Sequence, residues 1–187
     1  MSGPAVDYER FAVLQGPLTG GEVRTVCFFG HMSLERIDFD GLRAIAGAGF
    51  ELRIVGGLGS VEEDFFEIPG VDYRGEVYHA GLPSALVGVD AFVLPYKVNS
   101  LTRPISPAKT YECLATGKPV VAADLPAMRE LAGDVYIAQR PDDYVDVLRN
   151  LQRFETEEKR RARIELAHKN SWDTRFRALE EALWRHM

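Results

Sequence analysis

Residues 106–122 read SPAKTYECLATGKPVVA, a stretch that contains the signals of a helix followed directly by a strand. Ser106 is a good N-cap, Pro107 suits the first helical position, and Gly117 suits the carboxyl-terminal cap. Pro119 prevents the helix from continuing, and the apolar run after it is typical of a buried strand. The stretch therefore predicts a helix from Pro107 to the residue before Gly117, and then a strand that begins at Pro119.

The same alternation of helical patterns and short apolar runs continues along the chain, which is typical of a parallel sheet covered by helices. We therefore expect an α/β fold: a Rossmann-like, doubly wound parallel sheet of about six strands, with helices on both faces and at the carboxyl terminus. The predicted strands are residues 24–29, 51–55, 71–74, 91–94, 119–122 and 135–137. The predicted helices are residues 36–48, 82–87, 107–116, 127–132, 141–154, 157–169 and 172–186.

Composition excludes several classes of protein. The 187 residues include 22 Lys and Arg against 28 Asp and Glu, a formal net charge of −6, which disfavours nucleic-acid partners. No membrane-spanning run or signal peptide is recognisable, so we expect a cytoplasmic location. Cys27 and Cys113 are too few for a disulfide framework and are expected to be small buried residues. The basic stretch 159–163 lies among glutamates and is expected to be a solvated helix face.

The amino end of the predicted helix has the features of an anion site. The backbone amides of Ala108 and Lys109 are free there, the helix dipole is positive, and the Lys109 ammonium reaches the same place. Glu112 lies roughly 4.5 Å further along the axis, at about 1.5 Å rise per residue. It could therefore accept hydrogen bonds from ribose hydroxyls while Lys109 holds a diphosphate. An ordinary capped helix with an exposed Glu112 is the alternative.

This stretch also resembles the donor-binding signature in the carboxyl-terminal domain of GT-B glycosyltransferases, especially the retaining class that includes family 4. That signature is Glu, seven residues, Glu, and its second Glu, which binds the ribose in the family, matches Glu112. The following ATGKPVV matches the family's Ala-x-Gly-x-Pro-Val-Val. The first Glu corresponds to Pro104, so the sugar-contacting half of the motif departs from the family. The resemblance makes Pro107, Ala108 and Glu112 candidate donor-binding residues.

A second part of the resemblance lies in CFFGH at residues 27–31, where the transferases have Gly-Arg and a Lys five residues later. The matching positions here are His31 and Arg36. Both family residues are cations that neutralise the departing diphosphate. The resemblance therefore implies that Gly30 and His31 bind the donor and that Arg36 and Lys109 are catalytic cations. Alternatively, Arg36 merely opens a surface helix and His31 packs in a turn.

Two further segments match the family more weakly. VDYRGEV at residues 71–77 resembles a segment ending in Gly-x-Val whose following backbone contacts the nucleobase, which implies Val77 and Tyr78 as donor-binding residues. Tyr78 as an ordinary packing aromatic fits equally well. The loop 97–105 resembles the family's donor loop, with candidate sugar contacts at Asn99, Ser100, Thr102 and Arg103.

The resemblance covers about residues 5–187 and suggests a domain organisation. AVDYERF at residues 5–11 is similar to the segment that joins the two domains of these transferases. We therefore divide the chain into a stub and linker, residues 1–22, and a Rossmann-like donor-binding domain, residues 23–187. The chain looks like the carboxyl-terminal half of a two-domain enzyme and is expected to be inactive alone. In the last helix, an apolar face is expected to meet the partner domain, formed by Trp172, Phe176, Leu179 and Leu183.

The resemblance implies a glycosyltransferase that binds a nucleoside-diphosphate sugar, of the UDP type, and transfers the sugar with retention to an acceptor held by an N-terminal domain. Peripheral membrane association through that other half is a further expectation. The carboxylates near the proposed site are too few to form an evident magnesium site, so neither a metal nor a cofactor beyond the donor substrate is expected. Two alternatives stay open: a non-catalytic nucleotide-sugar-binding or interaction domain, and half of a nucleotide-sugar epimerase of the same architecture.

Overall fold

The computed structural model describes residues 4–17 and 21–185, in which six parallel strands form one sheet with helices packed around it. The strands are β1 (Thr25–Phe29), β2 (Glu51–Val55), β3 (Val71–Tyr73), β4 (Ala91–Leu94), β5 (Val120–Ala123) and β6 (Tyr136–Ala138). The helices are α1 (Tyr8–Ala12), α2 (Phe39–Gly47), α3 (Leu82–Ala85), α4 (Lys109–Ala115), α5 (Pro126–Arg129), α6 (Pro141–Phe154), α7 (Glu157–Lys169) and α8 (Trp172–Arg185), with short 3₁₀ helices at Glu63–Glu67 and His79–Gly81. The expected Rossmann-like α/β fold is confirmed.

The central strands are the most deeply buried. Every residue of β1, β4 and β5 is buried, which is why these strands are continuous apolar runs rather than alternating ones. The strands at the edges, β3 and β6, are only partly buried. The three strands β1, β4 and β5 are therefore covered on both faces of the sheet and form its buried centre.

The strand order β3-β2-β1-β4-β5-β6 reverses direction between β1 and β4. From β1 the chain moves outward through β2 and β3, and it then returns to β4 on the other side of β1. The loops after β1 and β4 therefore separate and leave a crevice at the carboxyl ends of these two strands. In open α/β sheets this is where ligands bind.

The N-terminal segment packs against the rest of the fold. Val6 donates its amide to the Asn170 carbonyl at 3.1 Å and accepts from the Trp172 amide at 3.0 Å. Phe11, on α1, is fully buried in the core. The division of the chain at residues 22 and 23 stays a prediction, and residues 18–20 of the linker-like region lie outside the described residues.

Two helices begin later than the sequence predicts. The Thr110 amide donates to the Pro107 carbonyl at 3.0 Å, so the first turn is of the 3₁₀ type and α4 starts at Lys109 instead of Pro107. Ser106 makes no capping hydrogen bond there. α2 starts at Phe39 rather than residue 36, because the Asp38 side chain accepts from the Gly41 amide at 3.2 Å and caps the helix.

The basic stretch 159–163 is not entirely a solvated face, because Arg163 is buried. Its Nε and one terminal nitrogen donate to the Gly117 carbonyl at 3.1 and 3.0 Å, and it forms an ion pair with Glu155. Arg163 thereby joins α7 to the end of α4. Among residues 4–17 and 21–185, no helix is both long and apolar enough to cross a membrane.

Candidate functional site

Lys109 places its ammonium group in the crevice at the carboxyl end of β1. Its Nζ lies 4.5 Å from the ring centroid of Phe28, 5.9 Å from that of Phe29 and 5.7 Å from that of Tyr96. Phe28 and Phe29 end β1, whereas Tyr96 follows β4, so the ammonium lies where the strand order reverses. Three aromatic rings thus hold the cation at the expected ligand-binding edge.

Gly30 provides the space that the ammonium occupies. A Cβ atom at this position would lie 2.0 Å from Lys109 Nζ, and the Gly30 φ of +124° is one that other residues rarely adopt. Two residues predicted from different motifs, Gly30 and Lys109, are therefore in direct contact. A side chain at position 30 would displace the ammonium.

The Lys109 ammonium has no directly bonded counter-charge. Across the described part of the chain, its Nζ forms neither a hydrogen bond nor an ion pair. Burial lowers the pKa of Lys109 from 10.5 to about 8, because the charged form loses its hydration, although nearby groups that include Glu112 oppose the change. Near neutral pH the residue is a desolvated cation, a good partner for an anionic ligand.

Glu112 lies on the same helix and is hydrogen-bonded to a residue that is not among the predicted site residues. Its Oε1 lies 2.8 Å from His79 Nε2, and the Glu112 side chain is only 17% exposed whereas that of His79 is 52% exposed. The interpretation of Glu112 as a freely exposed surface residue is therefore wrong. The only sign in the sequence that His79 belongs to the site is that it follows Val77 and Tyr78, which are predicted to lie near the nucleobase.

α1 supports both halves of this site through Phe11. The Phe11 ring stacks on Phe29 at 6.5 Å and meets the His79 ring edge-on at 5.7 Å. Phe29 lies beside the Lys109 ammonium, and His79 is bonded to Glu112. The N-terminal segment therefore helps to position the two predicted ligand-binding side chains.

Arg36 lies in a turn rather than at the start of a helix. Its amide donates to the Ser33 carbonyl at 3.1 Å and its carbonyl accepts from the Lys97 amide at 2.8 Å, which joins the loops after β1 and β4. Burial raises the pKa of Tyr96 to about 12, and the Arg36 charge opposes that rise. Arg36 and Lys109 therefore approach the same aromatic ring, and Arg36 is exposed to solvent.

His31 is exposed, and its ring lies over the loop that follows β2. A Cβ atom at Gly59 would lie 2.7 Å from His31 Nε2. The same two loops meet where the Met32 amide donates to the Gly57 carbonyl at 2.9 Å. His31 thus forms the rim of the crevice beside Gly30.

The remaining predicted donor residues differ in exposure. Val77 is half-buried and packs on the core, whereas Tyr78 is 93% exposed, which is inconsistent with an ordinary packing aromatic. Pro107 is buried and Ala108 is exposed. The amides of Ala108 and Lys109 donate to no other described residue.

The loop 97–105 is folded by its own polar side chains. Asn99 Oδ1 accepts from the amides of Leu101 and Thr102 at 2.9 and 3.1 Å, and Asn99 Nδ2 donates to the Glu35 carbonyl at 2.9 Å. Thr102 is fully buried. Asn99 and Thr102 therefore hold the loop in shape, which leaves Ser100 and Arg103 exposed to solvent.

Two open clefts lie near the ends of the sheet. One of about 450 Å³ adjoins the site through His79 and is lined also by Val6, Asp7, Tyr8, Glu9, Ser171, Trp172 and Asp173. Another of about 570 Å³ lies at the amino ends of β1 and β2 and contains none of the predicted site residues.

The described residues include no group of three or more His, Cys, Asp or Glu that could hold a metal. Cys27 and Cys113 are free and buried, and burial raises the pKa of both thiols.

Comparison with known proteins shows the family to which the chain is similar in sequence. Residues 24–153, more than half of the chain, match the sequence profile described as glycosyl transferases group 1. A Bacillus subtilis (strain 168) protein, whose name describes a teichuronic acid biosynthesis glycosyltransferase, TuaH, is 29% identical over 69 residues, which are 37% of this chain and 17% of that protein.

Solved glycosyltransferase structures share the fold. AviGT4, a glycosyltransferase involved in avilamycin A biosynthesis, has 19% identity and a TM-score of 0.68, over 95% of this chain and 55% of its own. Anabaena Alr3699/HepE in complex with UDP-glucose has 15% identity and a TM-score of 0.66, over 98% of this chain and 56% of its own. The chain therefore spans about half the length of these solved structures.

Proposed function

The chain belongs to the glycosyl transferases group 1 family, and from this premise we propose that it binds a nucleoside-diphosphate sugar in the crevice between β1 and β4 and serves glycosyl transfer. The observation that carries the proposal is the unpaired Lys109 ammonium held against Gly30, with the Glu112 carboxylate three residues further along α4. A cation and a carboxylate so arranged suit the two halves of a nucleoside diphosphate. The phosphates lie at Lys109 and the ribose at Glu112.

The chemical role of the crevice is to stabilise the leaving group. As the bond between the sugar and the diphosphate breaks, negative charge grows on the departing phosphate oxygens. A cation that is already oriented and desolvated interacts with that charge without reorganisation in the transition state. Lys109 fits this role, and Arg36 adds a second cation near Tyr96.

The remaining donor contacts follow from placing the phosphates at Lys109 and the nucleoside at Glu112. Gly30 and His31 lie on the phosphate side, as do the unpartnered amides of Ala108 and Lys109. Val77 and Tyr78 lie beside His79 and therefore on the nucleoside side of Glu112. UDP is the proposed nucleoside diphosphate, supported by a relative of the same fold that was solved with UDP-glucose. No metal ion takes part, because cationic side chains supply the positive charge.

The acceptor and the rest of the enzyme belong to the same proposal. A second, N-terminal domain holds the acceptor across the crevice, and transfer proceeds with retention of configuration. Two observations support this part: the family to which the chain belongs, and the fact that the chain spans about half the length of the solved structures it matches.

A non-catalytic nucleotide-sugar-binding domain is the second candidate. It is favoured by Pro104, which stands where the family has the sugar-contacting Glu and which is exposed on the loop 97–105. Transfer or hydrolysis of donor by the two-domain protein supports the enzyme, whereas binding without either supports the second candidate. Conversion of donor to another sugar nucleotide without acceptor would indicate an epimerase.

Calorimetric titration tests the proposed site. UDP, GDP, ADP and CDP are titrated into the chain in excess chelator, and at least one of them, expected to be UDP, binds with one-to-one stoichiometry. Glu112→Gln weakens that binding about tenfold or more, because a charge-assisted hydrogen bond contributes about 1.5–3 kcal/mol. Glu158→Gln, an exposed carboxylate on α7, is the matched control and leaves the affinity unchanged.

Two results would contradict the proposal. If the affinity of Glu112→Gln for the nucleoside diphosphate is unaltered, the assignment of the ribose to Glu112 is wrong. Affinity that is lost in chelator and restored by magnesium or manganese would show that a metal ion, rather than the side-chain cations, holds the diphosphate.

A further inference from the structure

His79 and Glu112 come together from separate elements. His79 begins the short 3₁₀ helix that follows the β3 loop, whereas Glu112 lies in the middle of α4, 33 residues further along the chain. Their side chains meet at 2.8 Å, with Nε2 of the imidazole against Oε1 of the carboxylate. With a proton on Nε2 the imidazole donates this hydrogen bond.

The bond uses only one of the two carboxylate oxygens. Within the described chain, Glu112 Oε2 has no hydrogen-bond partner, and it is not among the fully buried unsatisfied polar atoms. A carboxylate oxygen can accept more than one hydrogen bond. Oε2 is therefore free to receive two neighbouring hydroxyl groups.

His79 is itself held in place. The edge contact with the fully buried Phe11 limits rotation of the imidazole, while about half of the His79 side chain stays exposed toward the adjoining cleft. A Glu side chain on its own loses considerable rotamer freedom when it must hold one orientation. A fixed imidazole removes part of that cost before the ligand binds.

We infer that His79 is a positioning residue, which fixes the Glu112 carboxylate so that Oε2 accepts from the 2′- and 3′-hydroxyls of the nucleotide ribose. His79 thereby makes the site selective for ribonucleotides over deoxyribonucleotides. The inference rests on the proposed function, since it concerns the nucleoside end of the same site. It assigns to His79 no contact with the phosphates.

The test compares His79→Ala and His79→Gln with the unchanged chain. Each protein is titrated with the nucleoside diphosphate that binds best in the panel of UDP, GDP, ADP and CDP, with its 2′-deoxy form, and with inorganic pyrophosphate. The pyrophosphate measures the Lys109 end of the site alone. Thermal unfolding of each protein measures any general effect on the fold.

His79→Ala is expected to weaken binding of the ribonucleotide about tenfold, the loss of one well-oriented hydrogen bond to a charged group. Its preference for the ribonucleotide over the deoxyribonucleotide falls toward one, and pyrophosphate binding does not change. His79→Gln keeps a donor nitrogen within reach of the carboxylate and recovers a substantial part of the preference.

Three results separate the possible failures. A full preference for the ribonucleotide in His79→Ala overturns the inference and leaves the proposed function intact. Equal losses for ribonucleotide, deoxyribonucleotide and pyrophosphate show a purely structural role for His79 and overturn it as well. If the unchanged chain binds neither pyrophosphate nor any of the four nucleoside diphosphates, the proposed function itself fails.

Discussion

At the scale of single residues, Lys109 combines a favourable position for binding with an unfavourable one for folding. Its ammonium lies under aromatic rings with no carboxylate in contact, and burial lowers its pKa to about 8. Each pKa unit corresponds to about 1.4 kcal/mol, so the fall from 10.5 to about 8 means that the charged form destabilises the empty fold by about 3 kcal/mol near neutral pH. A bound diphosphate would supply the missing counter-charge. The residue is therefore better explained by ligand binding than by stability.

Replacing Lys109 by Met should stabilise the fold and abolish tight binding of the diphosphate. The expected gain in the free energy of unfolding at pH 7 is up to about 3 kcal/mol, because a desolvated charge is replaced by an apolar side chain of similar length. Denaturant unfolding monitored by circular dichroism measures the change. Lys169→Met, at an exposed position on α7, is the control and should change stability by less than about 0.5 kcal/mol.

The extra stability of Lys109→Met should decrease as the pH rises. The pKa of Lys109 is lower in the folded chain than in the unfolded chain, so the unfolded chain binds more protons above pH 8. The destabilisation is fully present below pH 8 and is lost as the pH rises toward the ordinary Lys value. The advantage of Lys109→Met should therefore shrink between pH 7 and pH 10. A constant difference between the two proteins would contradict the assignment of the buried charge.

The residues of the site differ in how far the sequence could reveal them. Lys109 and Glu112 lie three positions apart on one helix, so their relative placement is local and could be predicted. His79 and Phe11 reach Glu112 only through tertiary packing, and no spacing in the sequence indicates that contact. Arg36 was expected to open a helix, but the nearby Asp38 provides a better cap.

At the scale of elements, the orientation of α4 depends on a buried ion pair behind it. Arg163 on α7 is 1% exposed and donates two hydrogen bonds to the Gly117 carbonyl, at the turn that ends α4. Its partner, Glu155, also accepts from the Tyr136 hydroxyl at 2.7 Å. α7 thereby helps to hold the helix that carries both Lys109 and Glu112.

Arg163→Met should destabilise the chain by about 3–5 kcal/mol, because the Glu155 carboxylate and the Gly117 carbonyl lose their partner in a buried environment. Arg161→Met, on the exposed side of the same helix, should change stability by less than about 0.5 kcal/mol. A double change, Arg163→Met with Glu155→Met, should recover part of the loss, since it removes the unpaired charge. Similar stabilities for the Arg163 and Arg161 variants would contradict this role.

The elements themselves could largely be predicted because their signals are local. All six strands overlap their predicted ranges, and α6 and α7 have the predicted bounds. α1 was not predicted, since its five residues are too few to show a helical period, and its stability comes from burial of Phe11. The buried Arg163 was missed for the converse reason: a basic residue among glutamates gives no local sign of burial.

At the scale of the whole molecule, α8 presents the apolar face that the sequence predicts. Trp172, Phe176, Leu179 and Leu183 recur at helical spacing, and each is between 58% and 64% exposed. A continuous apolar strip of this kind is typical of a surface that contacts another protein unit. We propose that the acceptor-binding domain covers it in the two-domain enzyme.

The chain alone should bind donor but should not transfer sugar. Transfer requires that donor and acceptor be held in register, and the proposed acceptor site lies on the second domain. Incubation of the chain with UDP-sugars and candidate acceptors, followed by chromatographic detection of released UDP, measures this. Turnover on the order of 1 per second or faster, as in whole enzymes, would show that this chain is complete by itself.

The most direct test of the account is the titration of the Lys109 ammonium with and without a nucleoside diphosphate. Nuclear magnetic resonance of isotope-labelled lysine side chains follows the pKa, and Lys109→Met identifies the Lys109 signal. The pKa of Lys109 should be about 8 in the empty chain and should rise clearly at saturating UDP in chelator, because the bound phosphates stabilise the ammonium. UDP that binds without changing the pKa of Lys109 would contradict the assignment of the diphosphate to this crevice.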